Sequence, residues 1–113
     1  MDFNHFLTSY MPDPSIGSKV HFQNMIDQAV LAEKLGYKTV SIPEHHLVNL
    51  LMMPSPLQMA VKITTLTKNI KITTGVAVLP LHDMRTYAGE VATADILTEG
   101  RLILGVGRGA FAW

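Results

Sequence analysis

Glu44, His45 and His46 stand together in "SIPEHHLV" (41–48), behind a β-branched run. A carboxylate beside two imidazoles can bind a metal, handle protons near neutral pH, or simply fill a core. A metal site is not expected, because neighbouring strand residues point to opposite faces. His45 and His46 therefore cannot both ligate one ion from a regular strand. The zinc spacing H-E-x-x-H is also absent. A histidine that handles protons or binds substrate and a packed histidine both fit the spacing. A second group is "GVGRGA" (105–110). It matches the dinucleotide fingerprint G-x-G-x-x-A in form, but has neither the following helix nor the later acidic residue. Gly105, Gly107 and Gly109 would instead let backbone amides approach an anion, with Arg108 pairing to a phosphate. A tight strand exit with a solvated Arg108 is the plainer alternative. A third group is Gly75-Val76 in "TTGVAVLP" (73–80), where a glycine inside a β-run marks a bulge or a flat ligand against the backbone.

The elements that must position these residues alternate in type. "FNHFLTSY" (3–10) reads as a strand and "MPDPSIGS" (11–18) as a loop. Phe22, Met25, Ile26, Ala29, Val30 and Ala32 recur at helical spacing, with Ser18 as a candidate N-cap and Gly36 as a left-handed C-cap. "KTVSIPEHH" (38–46) is a second strand and "LVNLLMMP" (47–54) an unusually apolar loop. That loop suits either an aliphatic substrate or a second subunit. Ser55-Pro56 opens a second helix, with Leu57, Ala60, Val61 and Leu66 on its apolar side and Asn69 at its end. "IKITTGVAVLP" (70–80) is a third strand, apolar enough to be covered on both faces. Asp83 caps a third helix with a stripe of Met84, Tyr87, Val91, Ala94 and Leu97, ended by Gly100. Arg85, Glu90 and Asp95 form its charged face, with a structural contact to a neighbouring helix expected. The methionines at 52, 53, 59 and 84 read as adaptable core or pocket lining. "RLILGVGRGAF" (101–111) is a fourth strand.

The β-α-β-α-β-α-β order argues for a parallel sheet with right-handed crossovers. An open doubly wound sheet and part of a (β/α)8 barrel both fit. A complete barrel needs about 250 residues, and this chain has 113. The expectation is one incomplete domain, residues 1–113, cut after about four strands and three helices. A small four-stranded domain ending in a strand is the alternative.

Composition excludes other classes. Nine basic residues balance nine acidic ones, so no basic field draws in nucleic acid or an anionic membrane. Cysteine is absent, which removes disulfide frameworks and thiolate metal sites. No apolar window reaches the ~18 residues of a span, and the N-terminus shows no basic, apolar leader. A cytoplasmic chain is expected.

The strand "FNHFLTSY", the segment "AEKLGYKTVSIPEHH", "GVAVLP" followed by Arg85 and Glu90, and "ADILTEGRLILGVGRG" occur in order with natural spacing. Together they resemble the bacterial luciferase-like, flavin-dependent monooxygenases. The resemblance implies a (β/α)8 barrel binding a reduced flavin at the C-terminal ends of its strands. It implies homodimers or heterodimers, and a separate flavin reductase as a candidate partner. In the luciferase branch, reduced FMN and O2 oxidise an aldehyde to a carboxylic acid. Other branches oxidise other small organic substrates, and one uses a deazaflavin for hydride transfer. A non-catalytic flavin-binding or interface half-barrel is a further alternative. By the same resemblance His45 is the catalytic residue. Glu44, Gly75, Val76, Gly107, Arg108 and Gly109 are the flavin contacts, with Gly75-Val76 bulging against the flavin ring, often through a cis peptide. Gly107 replaces a reactive cysteine of the luciferase itself, so thiol-dependent properties do not transfer.

Overall fold

The structure is a computed structural model that describes residues 1–110. In chain order its elements are β1 (Asn4–Phe6), α1 (Gly17–Lys34), β2 (Thr39–Ile42), α2 (Pro56–Thr64), β3 (Lys71–Thr74), β4 (Ala77–Val78), α3 (Met84–Leu97), β5 (Leu102–Ile103) and β6 (Val106–Gly107). Short 3-10 turns lie at Pro14–Ile16 and Leu79–Leu81.

Strands β1, β2, β3 and β5 form one parallel sheet in that order. A doubly wound sheet would reverse direction at a switch point. Here each strand lies beside its predecessor, as in a barrel wall. β4 and β6 pair in parallel, Ala77 with Val106 and Val78 with Gly107. They continue β3 and β5 beyond a bend, so the third and fourth expected strands are each broken in two. The reach to Phe111 expected for the fourth lies outside the described residues.

Alternation along the strands decides which face is covered. Val40, Ile42 and Ile72 are fully buried and pack with Leu7, Met25, Ala29 and Ile63 beneath α1 and α2. Leu102 joins this core to a second cluster of Leu57, Ala77, Tyr87 and Ala94 beneath α3. On the other face Thr39 Oγ1 and Ser41 Oγ both donate to Asn4 Oδ1, at 2.7 and 2.9 Å. Phe6 and Ile103 are exposed on that face. Among the described residues no helix is long and apolar enough to cross a membrane.

Several expected boundaries move. Ser18 is not a cap: the 3-10 turn at Pro14–Ile16 runs into α1, and Asp13 accepts from Ser15 N ahead of it. Gly36 does take the left-handed conformation after α1, at φ +88. Ser55 holds the N-cap position of α2 without a side-chain bond, and Pro56 opens the helix. That helix stops at Thr64, so Leu66 is exposed and Asn69 belongs to the following loop. Glu33 of α1 fixes this loop by accepting from the backbone amides of Lys68, Asn69 and Ile70. Asp83 caps α3 as expected, accepting from Arg85 N. Met84 and Leu97, at the two ends of α3, are exposed. Arg85 turns back onto Asp83 rather than reaching a neighbouring helix. Of the methionines, Met53 and Met59 are core and Met84 is not.

Candidate active site

Pro43 ends β2 and turns the chain across the C-terminal edge of the sheet. Gly75 N donates to Ile42 O at 2.7 Å, which draws the break between β3 and β4 against the same edge. The Gly75-Val76 peptide is cis. Between these turns lies a cavity of about 480 Å³, bordered by Phe6, His45, His46, Val76, Val78 and Arg108, with Glu44, Gly75, Gly107 and Gly109 also on its wall. The structure thus brings all of the sequence-predicted site residues to one place.

Their roles there differ. His45 is half-buried and fixed by its own backbone, its N–H donating to Met53 O at 2.8 Å. Burial holds its pKa below the ordinary value of 6.5, with the neighbouring His46 acting the same way and Glu44 opposing. His45 is therefore a neutral imidazole at neutral pH, able to accept a proton. Glu44 has a fully buried carboxylate. Its Oε1 accepts from His46 Nε2 at 2.6 Å and from His82 Nε2 at 2.7 Å, and its Oε2 accepts from Val78 N at 2.8 Å. His82 in turn stacks on Tyr87, with ring centroids 3.9 Å apart. Among the described residues the buried Tyr87 hydroxyl has no hydrogen-bond partner. Burial, then Glu44 and Glu90, push its pKa above 10.0, so the phenol keeps its proton.

The glycines of the fourth strand have a packing reason. A Cβ on Gly105 would lie 2.2 Å from Thr74 O, one on Gly107 2.7 Å from Val76 Cγ2, and one on Gly109 2.8 Å from Val78 Cγ1. They let this segment lie directly on the chain from Thr74 to Val78. Arg108 projects between two of them at the cavity, exposed and with no ion pair among the described residues.

His82 and Tyr87 went unrecognised in the sequence. His82 follows Pro80 in the link after β4, a βα-loop position at the strand's C-terminal end, and that position was the available signal. Tyr87 read only as part of a helical stripe. Both border a second hollow of about 820 Å³ between α2 and α3. Among the described residues no group of three or more His, Cys, Asp or Glu side chains is arranged to hold a metal ion.

The cavity fits a flavin on its own terms. Its volume is in the range of cofactor sites, Phe6, Val76 and Val78 give it apolar walls for a ring system, and Arg108 supplies a cation for a phosphate.

Comparison with known proteins agrees with this geometry. Residues 1–113 match the family described as luciferase-like monooxygenase. The chain is 32% identical over 92 residues to the oxygenase component of the flavin-dependent trigonelline monooxygenase of Acinetobacter baylyi, covering 81% of this chain and 26% of that protein. It is 26% identical over 111 residues to the alkanal monooxygenase alpha chain of the Kryptophanaron alfredi symbiont, covering 98% of this chain and 31% of that one. The oxygenating constituent of 3,6-diketocamphane monooxygenase from Pseudomonas putida, solved with FMN, superposes with a TM-score of 0.91 at 28% identity, over 98% of this chain and 30% of that chain. A coenzyme F420 dependent tetrahydromethanopterin reductase from Methanopyrus kandleri shares the fold at 22% identity and a TM-score of 0.70, over 96% of this chain and 27% of that chain. This chain thus spans less than a third of the length of these relatives. In sequence and in fold, it belongs to the luciferase-like monooxygenase family.

Proposed function

We propose that this chain forms the N-terminal part of the flavin site of an FMN-dependent monooxygenase that oxidises an aldehyde or a similar small organic substrate. One observation carries the reading: a neutral, half-buried His45 shares an apolar cavity at the strand ends with the exposed cation Arg108. Arg108 would hold the phosphate, and Gly75, Val76 and Val78 would border the ring system. Reduced FMN, when bound, supplies the electrons that activate O2. Phe6 and Val76 offer the ring system apolar surface. His45 accepts or returns a proton at the ring nitrogen that its neutral form leaves bare. The oxygenase-component relative supports a separate flavin reductase as partner, and the partial coverage supports completion of the barrel by further strands.

The test uses the full product of the source gene with photoreduced FMN and an aliphatic aldehyde. His45→Ala is expected to lower oxygen-dependent turnover by about 100-fold, the usual size of a general acid–base contribution, with the fold retained by circular dichroism. An unchanged rate removes His45 from the mechanism. The F420-dependent neighbour shares only the fold, so deazaflavin chemistry is separated by assay: reduction of a deazaflavin without oxygen uptake would favour it. Tight flavin binding with no turnover would favour a non-catalytic half-barrel.

A further inference from the structure

The reaction proposed above leaves His46 idle, yet His46 is the most firmly held ring of the motif. Its Nε2–H is committed to Glu44 Oε1, and His82 Nε2–H reaches the same oxygen from the opposite side of the site. An ionised carboxylate only accepts hydrogen bonds. With Glu44 accepting both bonds, each ring carries a proton at Nε2, and a ring with no second proton keeps its lone pair at Nδ1. A buried carboxylate that fixes the tautomer of a histidine is the usual way to prepare a base. His46 borders the same cavity as His45 and Arg108, with its side chain 31% exposed. His82 opens instead on the hollow between α2 and α3 and is locked by its stack on Tyr87.

We propose that His46 is a second proton acceptor of the cavity, acting at Nδ1, with Glu44 and His82 as its positioning residues. The proposal rests on the cavity being the reaction site. A proton released in the cavity adds to Nδ1 of His46 and forms an imidazolium, while Nε2–H stays on Glu44. The same proton later leaves Nδ1 for water at the cavity mouth, so the cycle balances. The titratable and charged groups around His46 are Glu44 in direct contact, His45 beside it, Arg108 on the same cavity wall, and His82 with its ring centroid 6.5 Å away. Tyr87 and Glu90 stand behind His82. His82 acts through Glu44: by sharing Oε1 it pins the carboxylate from the α3 side, and Val78 N–H pins the other oxygen.

Two measurements on the full product of the source gene test this. With 15N-labelled histidine, His46 and His82 are expected to show downfield, slowly exchanging Nε2–H protons without any flavin present. Glu44→Ala should remove both signals, because both rings share the one oxygen, Oε1, that the truncation takes away. Free exchange of the His46 Nε2–H overturns the proposal whatever the cofactor. In turnover, His46→Ala is expected to lose about 100-fold in kcat and to regain at least tenfold with imidazole in the buffer. His82→Ala should lower kcat with KM unchanged, and His82→Gln, which keeps a donor for Glu44, should restore it. Normal oxygen uptake by the unaltered protein together with an unrescued His46→Ala overturns this proposal alone. No uptake by the unaltered protein overturns the proposed function with it.

Discussion

Glu44→Ala should be the most costly single truncation at the cavity edge. The side chain is fully buried and satisfies three donors. Their fates differ once it is gone. Val78 N–H lies in a residue only 6% exposed, so it loses its partner outright, at about 1–3 kcal/mol. The His46 and His82 side chains are 31% and 20% exposed. Water can replace part of their bonds, so each contributes about 1 kcal/mol or less after discounting for solvent. Removing the carboxylate also removes its own desolvation penalty, which offsets some of the loss. The net expectation is about 2–4 kcal/mol. In the full product of the source gene, a larger domain, each kcal/mol shifts Tm by roughly 2–4 °C, so Tm should fall by at least ~4 °C. Urea unfolding followed by circular dichroism reads the same quantity as a shift in midpoint at constant slope. Glu44→Gln should fall between, because its amide oxygen can keep either Val78 N–H or the two imidazoles, while its NH2 then faces the donor left over. A loss under ~1 kcal/mol in Glu44→Ala, with the slope unchanged, would refute the three-donor account.

Gly105→Ala places a Cβ 2.2 Å from Thr74 O, backbone that cannot rotate away. It should cost at least the ~1–3 kcal/mol of overpacking, read by urea unfolding, whereas Gly89→Ala on α3, with open space around its Cβ, should be neutral or slightly stabilising. Glu33 has its pKa held below 4.5: burial pushes it up, but the amides of Asn69, Ile70 and Lys68 and the charge of Arg101 outweigh that. A depressed folded pKa gives stability that is present above pH 4.5 and lost as pH falls through the folded value, so Glu33→Gln should flatten the acid limb of stability against pH; an unaltered limb would exclude this role. Tyr87→Phe removes a buried hydroxyl that has no partner among the described residues and should be neutral or stabilising by up to ~1 kcal/mol, and a clear loss of thermal stability would show that the hydroxyl is bonded.

The sequence made the alternation of elements legible because its signals were local. Val40, Ile42 and Ile72 alternate along strands, Met25, Ala29 and Ala32 recur along α1, and Pro56 and Asp83 open helices where a proline and a cap are expected. Misplacements arose where tertiary contacts overrode local pattern. Asp13 starts the α1 region through a 3-10 turn, although Ser18 has the residue type of a cap. Nothing within "IKITTGVAVLP" or "RLILGVGRGAF" shows that both segments break at the same level. The break becomes visible only when Ala77 pairs with Val106 and Gly105 O receives Ala77 N and Thr74 Oγ1.

The candidate site was legible in membership but not in division of labour. "EHH" offers three adjacent groups with no way to rank them from spacing. The structure ranks them through a residue 38 positions beyond Glu44: His82 donates to the buried carboxylate together with His46 and leaves His45 apart. No periodicity connects His82 to Glu44. The link arises because parallel crossovers deliver successive strand ends to one edge, where the residues after β2 and β4 meet. Glu44 therefore faces inward as an organiser of two imidazoles, and His45 is the imidazole of the three-residue motif without a carboxylate hydrogen bond. The same geometry accounts for the glycine run at 105–109: each missing side chain would strike Thr74, Val76 or Val78. Close packing of the broken strands alone requires those glycines, so anion binding at this edge stands or falls with Arg108.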